Sequence, residues 1–412
     1  MPPDFPINIL AQAFVSGEST MSGIVARAAH VVDGRPRWLR RVARRYLKAF
    51  ANRARPRLED VERFLYQHRD REQRLKVKHL LTEPQLMQPV AAALDWDVPV
   101  LESVGDVGRW LGVVAPRLEW FAAFSDHYHY RVLPKSNGAL RIIEAPKKKL
   151  KSIQREILTG VLERVPPHSA VHGFVKGRSV RSFATPHVGQ RVVLRMDLRD
   201  FFPSISEARV AAVFRTMGYP ESVADLLSGL CTNATPQGVC EGNELYRRPH
   251  LPQGAPTSPA LANICAYRVD CRLSGLARSA GAVYTRYADD LAFSGGREFE
   301  RRVDRFSTHA AVILEEEGFV VHHRKTRVMR QGVRQHLAGV VTNERLNVMR
   351  SEFDLLKAIL TNCVRYGVES QNRDGHAAFR AHLEGRVGWV ESVNAARGRK
   401  LRRLLEQIAS GS

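Results

Sequence analysis

Tyr284-Thr285-Arg286-Tyr287-Ala288-Asp289-Asp290-Leu291-Ala292-Phe293 is the stretch whose reading decides the fold. Its flanks, Tyr284-Thr285-Arg286 and Leu291-Ala292-Phe293, are both β-prone, so Tyr287-Ala288-Asp289-Asp290 reads as a hairpin tip bearing two adjacent acids. Like charges side by side are unfavourable unless a cation lies between them and neighbouring groups, so the pair asks for a metal and for a third acid. Asp197 supplies one. It follows the apolar strand Val192-Val193-Leu194-Arg195-Met196 and precedes Leu198-Arg199-Asp200-Phe201-Phe202-Pro203, where Pro203 is expected to stop the strand. Three carboxylates on two strand ends suffice for two Mg²⁺ ions roughly 3.5–4 Å apart, the arrangement that activates an attacking 3′-hydroxyl and neutralises a leaving pyrophosphate.

An isolated Asp-Asp is more often a solvated turn. The ordered series around this one lifts it above that reading, because Leu251-Pro252-Gln253-Gly254-Ala255-Pro256-Thr257-Ser258-Pro259 lies between Asp197 and Asp289. In that order the chain resembles the palm of reverse transcriptases, over about residues 125 to 345. Within that family it is most similar to retron-type bacterial enzymes, through His172-Gly173-Phe174-Val175-Lys176-Gly177-Arg178-Ser179 followed by Asp197-Leu198-Arg199-Asp200-Phe201-Phe202-Pro203-Ser204-Ile205. The resemblance implies an α+β right-hand polymerase. Its expected parts are a basic helical extension over 1–100, a helical bridge and fingers over 101–190, a palm of antiparallel sheet plus helices over 191–345, and a helical thumb over 346–412. It also implies an RNA-directed DNA polymerase with Asp197, Asp289 and Asp290 as catalytic residues, and with Leu198 counted beside them at the metal site. The cofactor implied is a pair of Mg²⁺ ions, with Mn²⁺ as a substitute.

Further roles come with the same resemblance. Lys135 and Arg141 flank the turn of a hairpin, where the family's fingers hold the triphosphate with basic residues. Phe202 stands five residues after Asp197, where an aromatic ring packs under the sugar and excludes a 2′-hydroxyl, which implies dNTPs over rNTPs. Phe201 beside it faces the opposite way and is expected in the core. Gln253 and Gly254 are expected against the incoming nucleotide and template, glycine allowing close backbone approach, with a helix beginning near Ser258 or Pro259. Lys325 matches a lysine near the pyrophosphate and is a candidate general acid, although Arg324 and Arg327 beside it suit backbone phosphates equally. His336-Leu337-Ala338-Gly339-Val340-Val341 resembles the hairpin that grips the primer end, which places Gly339 at the nucleic acid together with Lys176 and Arg178.

Composition points the same way. The 412 residues, 44% of them hydrophobic, allow roughly two or three structural units with a substantial core. Sixty-three Lys and Arg against 42 Asp and Glu leave a net charge of +21, which suits a polyanionic partner, nucleic acid first and a membrane surface second. No apolar run is long enough to span a bilayer, no lipidation signal is present, and Met1-Pro2-Pro3-Asp4-Phe5-Pro6 lacks the basic start of a secretion signal. Five cysteines without Cys-x-x-Cys spacing suggest a reduced, cytoplasmic compartment and no structural zinc. His172 and His187, with no cysteine or carboxylate at ligand spacing, are expected as hydrogen-bonded structural residues.

Along the chain, residues 1 to about 100 read as helical and basic. Trp38, Leu39, Val42, Tyr46 and Leu47 approximate one helical face, and Arg40, Arg41, Arg44 and Arg45 form the opposite one, suited either to a phosphate backbone or simply to solvent. Leu101 to Phe124 reads as helix with core aromatics Trp110, Trp120 and Phe121. Tyr130-Arg131-Val132-Leu133-Pro134 and Ala139-Leu140-Arg141-Ile142-Ile143 flank Lys135-Ser136-Asn137-Gly138, a strong hairpin signal. A helix is expected over Leu150 to Leu162, after Lys147-Lys148-Lys149, and the segment from Ser351 to Ile408 reads as helical with breaks at Gly367, Gly375, Gly385 and Gly388.

Two places depart from the retron pattern. Phe183-Ala184-Thr185-Pro186-His187 replaces the asparagine of Asn-Ala-x-x-His, and Val341-Thr342-Asn343 keeps two residues of Val-Thr-Gly. The partners implied are a structured non-coding RNA serving as template and primer, dNTPs, the DNA product, and an effector or toxin protein, with a role in defence against phage. Branched msDNA is the expected product. The alternatives are another bacterial defence-type or group II intron-like reverse transcriptase without that product, and a non-enzymatic RNA-binding protein, which three retained acids oppose. An RNA-dependent RNA polymerase would more naturally carry Gly-Asp-Asp at the tip than Tyr-Ala-Asp-Asp.

Overall fold

Helix Arg37–Ala49 shows how the first part of the chain folds: Trp38, Leu39, Val42 and Tyr46 are buried, while Arg40, Arg41, Arg44 and Arg45 are exposed on the other side. The computed structural model describes residues 7–16, 19–31, 37–51, 56–68, 86–123, 125–134, 140–240 and 243–410. They divide into one unit of Met1–Pro167 with Asp200–Ala266 and a second of His168–Arg199 with Tyr267–Ser412.

In the first unit, helices Ile7–Val15, Met21–Val31, Arg37–Ala49 and Leu58–His68 share one apolar core that includes Phe14, Ile24, Leu39, Tyr46 and Phe64. The expected helix over 101–124 is two helices, Val104–Leu111 and Ala115–Ala123, because Gly112 takes a left-handed φ of +62° between them. Phe124 lies outside the described residues. Strands β1 (Tyr128–Pro134) and β2 (Leu140–Pro146) pair antiparallel up to Pro134 opposite Leu140. Their connection, with Lys135, also lies outside the described residues. Helix Lys148–Gly160 begins two residues earlier than expected, directly after β2. Helices Glu207–Thr216, Glu221–Cys231 and Ser258–Cys265 complete this unit's larger elements, the last starting where Pro259 suits a first helical turn.

The second unit is built on an antiparallel sheet of β3 (Val192–Arg199), β4 (Ala282–Tyr287), β5 (Asp290–Gly295), β6 (Val320–Val321) and β7 (Arg327–Arg330). Its order is β4-β5-β3-β6, with β7 also on β3. Val192, Val193, Leu194, Met196 and Leu198 are buried on both faces of β3, as befits a central strand. The strand ends at Arg199 and not at Pro203, because Asp200 turns the chain with a φ of +48°. Strands β8 (His336–Leu337), β9 (Val340–Val341) and β10 (Asn347–Val348) form a second small sheet.

Three helices follow: Arg350–Tyr366, Phe379–Val393 and Ala395–Ser410. Gly367, at φ +82°, ends the first, and Gly375, at φ +62°, lies in the connection. Gly385 and Gly388 do not break the second. Each costs about 1 kcal/mol in a helix interior, and burial of Leu383, Val387 and Val390 along the same helix outweighs that. These side chains share a core with Val193 and Ala292 of the larger sheet and Leu337 and Val340 of the smaller. Among the described residues no helix is long and apolar enough to cross a membrane.

Candidate active site

Pairing of Tyr287 with Asp290 leaves Ala288 and Asp289 as a two-residue tip between β4 and β5, and Ala288 takes a left-handed φ of +55° there. Asp197 sits directly opposite Asp290 in the β3–β5 ladder. The Leu198 amide donates to the Asp289 carbonyl at 3.0 Å, and the His322 amide to the Asp197 carbonyl at 2.7 Å. Backbone pairing alone therefore gathers Asp197, Asp289 and Asp290. Leu198 has a buried apolar side chain and an occupied amide, so only its carbonyl is available as a ligand.

Cations already face these acids. The Lys325 ammonium reaches Asp197 Oδ1 at 2.9 Å and Oδ2 at 3.2 Å, and Arg195 Nε donates to Asp290 Oδ1 at 3.0 Å. Burial, reinforced by the charges of Asp290 and Asp197, pushes the Asp289 carboxyl up to about 6. Burial also raises Asp290, against the opposing pull of Arg195. Among the described residues, no three His, Cys, Asp or Glu side chains converge as a ready-made metal site. The donor chemistry nonetheless fits a hard divalent cation, since the acids supply oxygen ligands and Asp289 carries a negative charge held at a disadvantage.

The tip is supported by residues that sequence reasoning did not single out. Fully buried Arg286 donates from Nε to Asp270 Oδ1 at 2.8 Å, from Nη2 to Asp270 Oδ2 at 2.7 Å, and from Nη1 to the Ala288 carbonyl at 3.1 Å. Tyr284 Oη also donates to Asp270 Oδ1 at 2.8 Å. A signal existed: Tyr284 and Arg286 are two apart in a strand, so an inward tyrosine implies an inward arginine that needs an acid. On the outer edge of β4, the Arg286 amide donates to Ala170 and its carbonyl accepts from His172. Gly173 then passes so close that a Cβ would lie 2.6 Å from the Ala288 nitrogen.

The two histidines behave as structural residues. His187 is buried between Ser294 Oγ at 2.6 Å and Thr285 Oγ1 at 2.7 Å, and His172 Nδ1 meets Ser182 Oγ at 2.9 Å. Burial lowers His187 to about 3. Lys176 is exposed, whereas Arg178 Nη1 donates to the carbonyls of Ser169 at 2.9 Å, His168 at 3.3 Å and Val171, so that it pins its own loop. Ala338 and Gly339, at φ +44° and +83°, form the two-residue turn between β8 and β9 that an expected primer-grip hairpin needs.

The remaining expected site residues belong to the first unit. Arg141 is exposed on β2, and Phe202 is half-buried with its ring edge-on to buried Phe201 at 5.5 Å. The Gln253 carbonyl accepts from the Glu144 amide at 2.9 Å. Gly254, at φ +132°, lies where a Cβ would be 3.0 Å from the Glu144 carbonyl. The buried Glu144 carboxylate accepts from Asn233 at 2.7 Å and Thr235 at 2.7 Å, and meets His250 Nε2 at 2.9 Å. The structure thus brings Gln253 and Gly254 against the strand that carries Arg141, and in the other unit brings the three acids against Lys325.

Residues 133–356 match the family described as reverse transcriptase (RNA-dependent DNA polymerase). The chain is 39% identical to the retron Mx65 reverse transcriptase of Myxococcus xanthus over 327 residues, which cover 77% of this chain and 74% of that one. It is 37% identical to the retron Mx162 reverse transcriptase of the same organism, over 75% of this chain and 68% of that one. Identity to the retron Ec86 reverse transcriptase of Escherichia coli is 28%, over 74% of this chain and 88% of that one.

Proposed function

Because the chain belongs to the retron-type reverse transcriptases and is an RNA-directed DNA polymerase, we propose that it copies a cognate structured RNA into DNA by two-metal nucleotidyl transfer at Asp197, Asp289 and Asp290. The observation that carries this reading is the pairing of Asp197 opposite Asp290, with Asp289 at the adjoining tip. Two Mg²⁺ ions held by these acids, with the Leu198 carbonyl as a further ligand, would activate the primer hydroxyl and neutralise the leaving pyrophosphate. Lys325, now on Asp197, is the cation proposed to meet that pyrophosphate. Arg141, Gln253, Gly254 and Lys135 are proposed to bind the incoming nucleotide, with Phe202 selecting dNTPs. Gly339, Lys176, Arg178 and the exposed Arg40, Arg41, Arg44 and Arg45 are proposed to follow the nucleic acid, in keeping with a net charge of +21. In this reading 101–190 acts as bridge and fingers, 191–345 as palm and 346–412 as thumb. Following what the retron resemblance implies, the RNA is proposed to serve as template and primer, the product to be a branched msDNA, and the role to be defence against phage with an effector protein.

The test is to sequence the nucleic acid that co-purifies with the protein expressed beside its native flanking DNA, in wild type and in Asp289→Ala. One discrete DNA joined to one structured RNA, sensitive to debranching and absent from the mutant, is expected. Heterogeneous DNA would instead indicate another defence-type reverse transcriptase, and bound RNA without mutant-sensitive DNA would overturn the assignment of the acids.

A further inference from the structure

Arg286 and Asp270 stand outside the set of acids and cations just described, yet both are fully buried. A buried ion pair by itself is weak evidence of stabilisation, since apolar residues often replace one without loss. This pair has a third contact that apolar residues could not reproduce. Two guanidinium nitrogens grip both Asp270 oxygens, which fixes the plane of the fork, and the remaining Nη1 is thereby aimed at the Ala288 carbonyl. Tyr284 locks the same carboxylate from β4, and helix Tyr267–Ser279 supplies Asp270 from outside the sheet. Ala288 is the left-handed residue immediately before Asp289, and a non-glycine residue keeps that conformation only where its surroundings over-determine it.

We propose that the Tyr284–Asp270–Arg286 network is a positioning device for the tip peptide. By holding the Ala288 carbonyl it fixes the direction of the Asp289 and Asp290 carboxylates, and so sets the rate of nucleotide addition with little effect on substrate binding. This rests on the reading of Asp289 and Asp290 as the metal-binding acids. Arg286 is a positioning residue: its guanidinium is enclosed between strand and helix and is offered to the peptide backbone.

Single-turnover extension of an annealed DNA primer on an RNA template separates the possibilities, with Arg286→Lys, the paired change Arg286→Met with Asp270→Asn, and Ala288→Gly compared with wild type. Arg286→Lys keeps a charge for Asp270 but loses the aimed donor. The paired change removes both charges and leaves Tyr284 an acceptor, and Ala288→Gly leaves the network intact while freeing the tip. For folded variants, confirmed by thermal melting, the rate constant for addition is expected to fall about 10- to 100-fold for the arginine variants and about 3- to 10-fold for Ala288→Gly. Primer–template and dNTP affinities are expected to stay within about threefold, and the Mg²⁺ concentration for half-maximal rate to rise. Wild-type rates in Arg286→Lys and the paired variant, or equal losses of rate and affinity, would reduce the network to core packing. If the arginine variants do not fold, an unchanged rate in Ala288→Gly refutes the proposal. Asp289→Asn, run in parallel, keeps the failures distinct: if it retains activity, the assignment of the acids is wrong and not the network.

Discussion

Acidification should weaken the catalytic unit through one residue, His187, by an amount the structure sets. Its ring is enclosed between Ser294 on β5 and Thr285 on β4, burial disfavours its protonation with a smaller contribution from the nearby His172 ring, and its pKa is lowered to about 3. In the unfolded chain the same ring titrates near 6.5. The folded value is depressed, so between those two values the unfolded state binds the proton that the native state refuses. Stability is therefore unaffected by His187 well above pH 6.5 and is progressively lost as pH falls toward 3. At pH 5 the linkage amounts to about 2 kcal/mol relative to pH 8, or roughly 4–8 °C in the midpoint if the second unit melts cooperatively. Other groups titrate over the same range, so the measurement is a cycle: urea unfolding of wild type and His187→Gln at pH 8, 7, 6 and 5. Glutamine loses the paired hydroxyl contacts at every pH, so wild type is the more stable at pH 8. That advantage is expected to shrink by about 2 kcal/mol on going to pH 5. An advantage that stays constant across the series would refute the claim that a neutral buried imidazole ties these two strands together.

Other expectations follow from single contacts. Gly173→Ala places a methyl 2.6 Å from the Ala288 nitrogen, so it should lower stability by about 1–3 kcal/mol and extension rates at least tenfold, read by melting and primer extension. Asp289→Asn relieves a carboxylate whose pKa is raised to about 6, and is expected to abolish synthesis while raising metal-free stability at pH 8 by about 3 kcal/mol, a gain that largely disappears at pH 4 where the wild-type acid is protonated. Gly254→Ala meets both a φ of +132° and a 3.0 Å approach to the Glu144 carbonyl, so dNTP KM should rise at least tenfold while primer–template binding is unchanged. Phe202→Ala should admit ribonucleotides, measured as the ratio of rNTP to dNTP incorporation, and an unchanged ratio would assign the ring to packing alone.

Much of the candidate site was legible because strand chemistry has a short period. Two β-prone flanks around the acid pair marked the hairpin, and the apolar run before Asp197 marked β3. The register that sets Asp197 opposite Asp290 was not legible, since nothing local distinguishes it from a neighbouring pairing. Boundaries failed where one dihedral decided: β3 stops at Arg199 because Asp200 turns the chain, four residues before Pro203. The glycines at 385 and 388 misled because the weak local preference was set aside by burial of Leu383, Val387 and Val390, contacts made far away in sequence. Gly173 carries the same lesson in the other direction. Its motif reads as a basic loop suited to nucleic acid, and the structure adds that Arg178 Nη1 is bonded to the carbonyls of Ser169 and Val171 and that the glycine is needed for close approach to a tip more than 100 positions later.

Arg286 shows where the boundary of such reading lies. Two residues beyond an inward tyrosine, an arginine on the same strand face must be buried, and a buried guanidinium must have an acid, so the existence of a partner follows from sequence alone. Its identity does not, because 42 Asp and Glu residues are available and the choice of Asp270 is made by the packing of helix Tyr267–Ser279 on β4. The third contact is less accessible still: only the folded structure reveals that the nitrogen left over from Asp270 reaches forward to the tip carbonyl that precedes the paired acids.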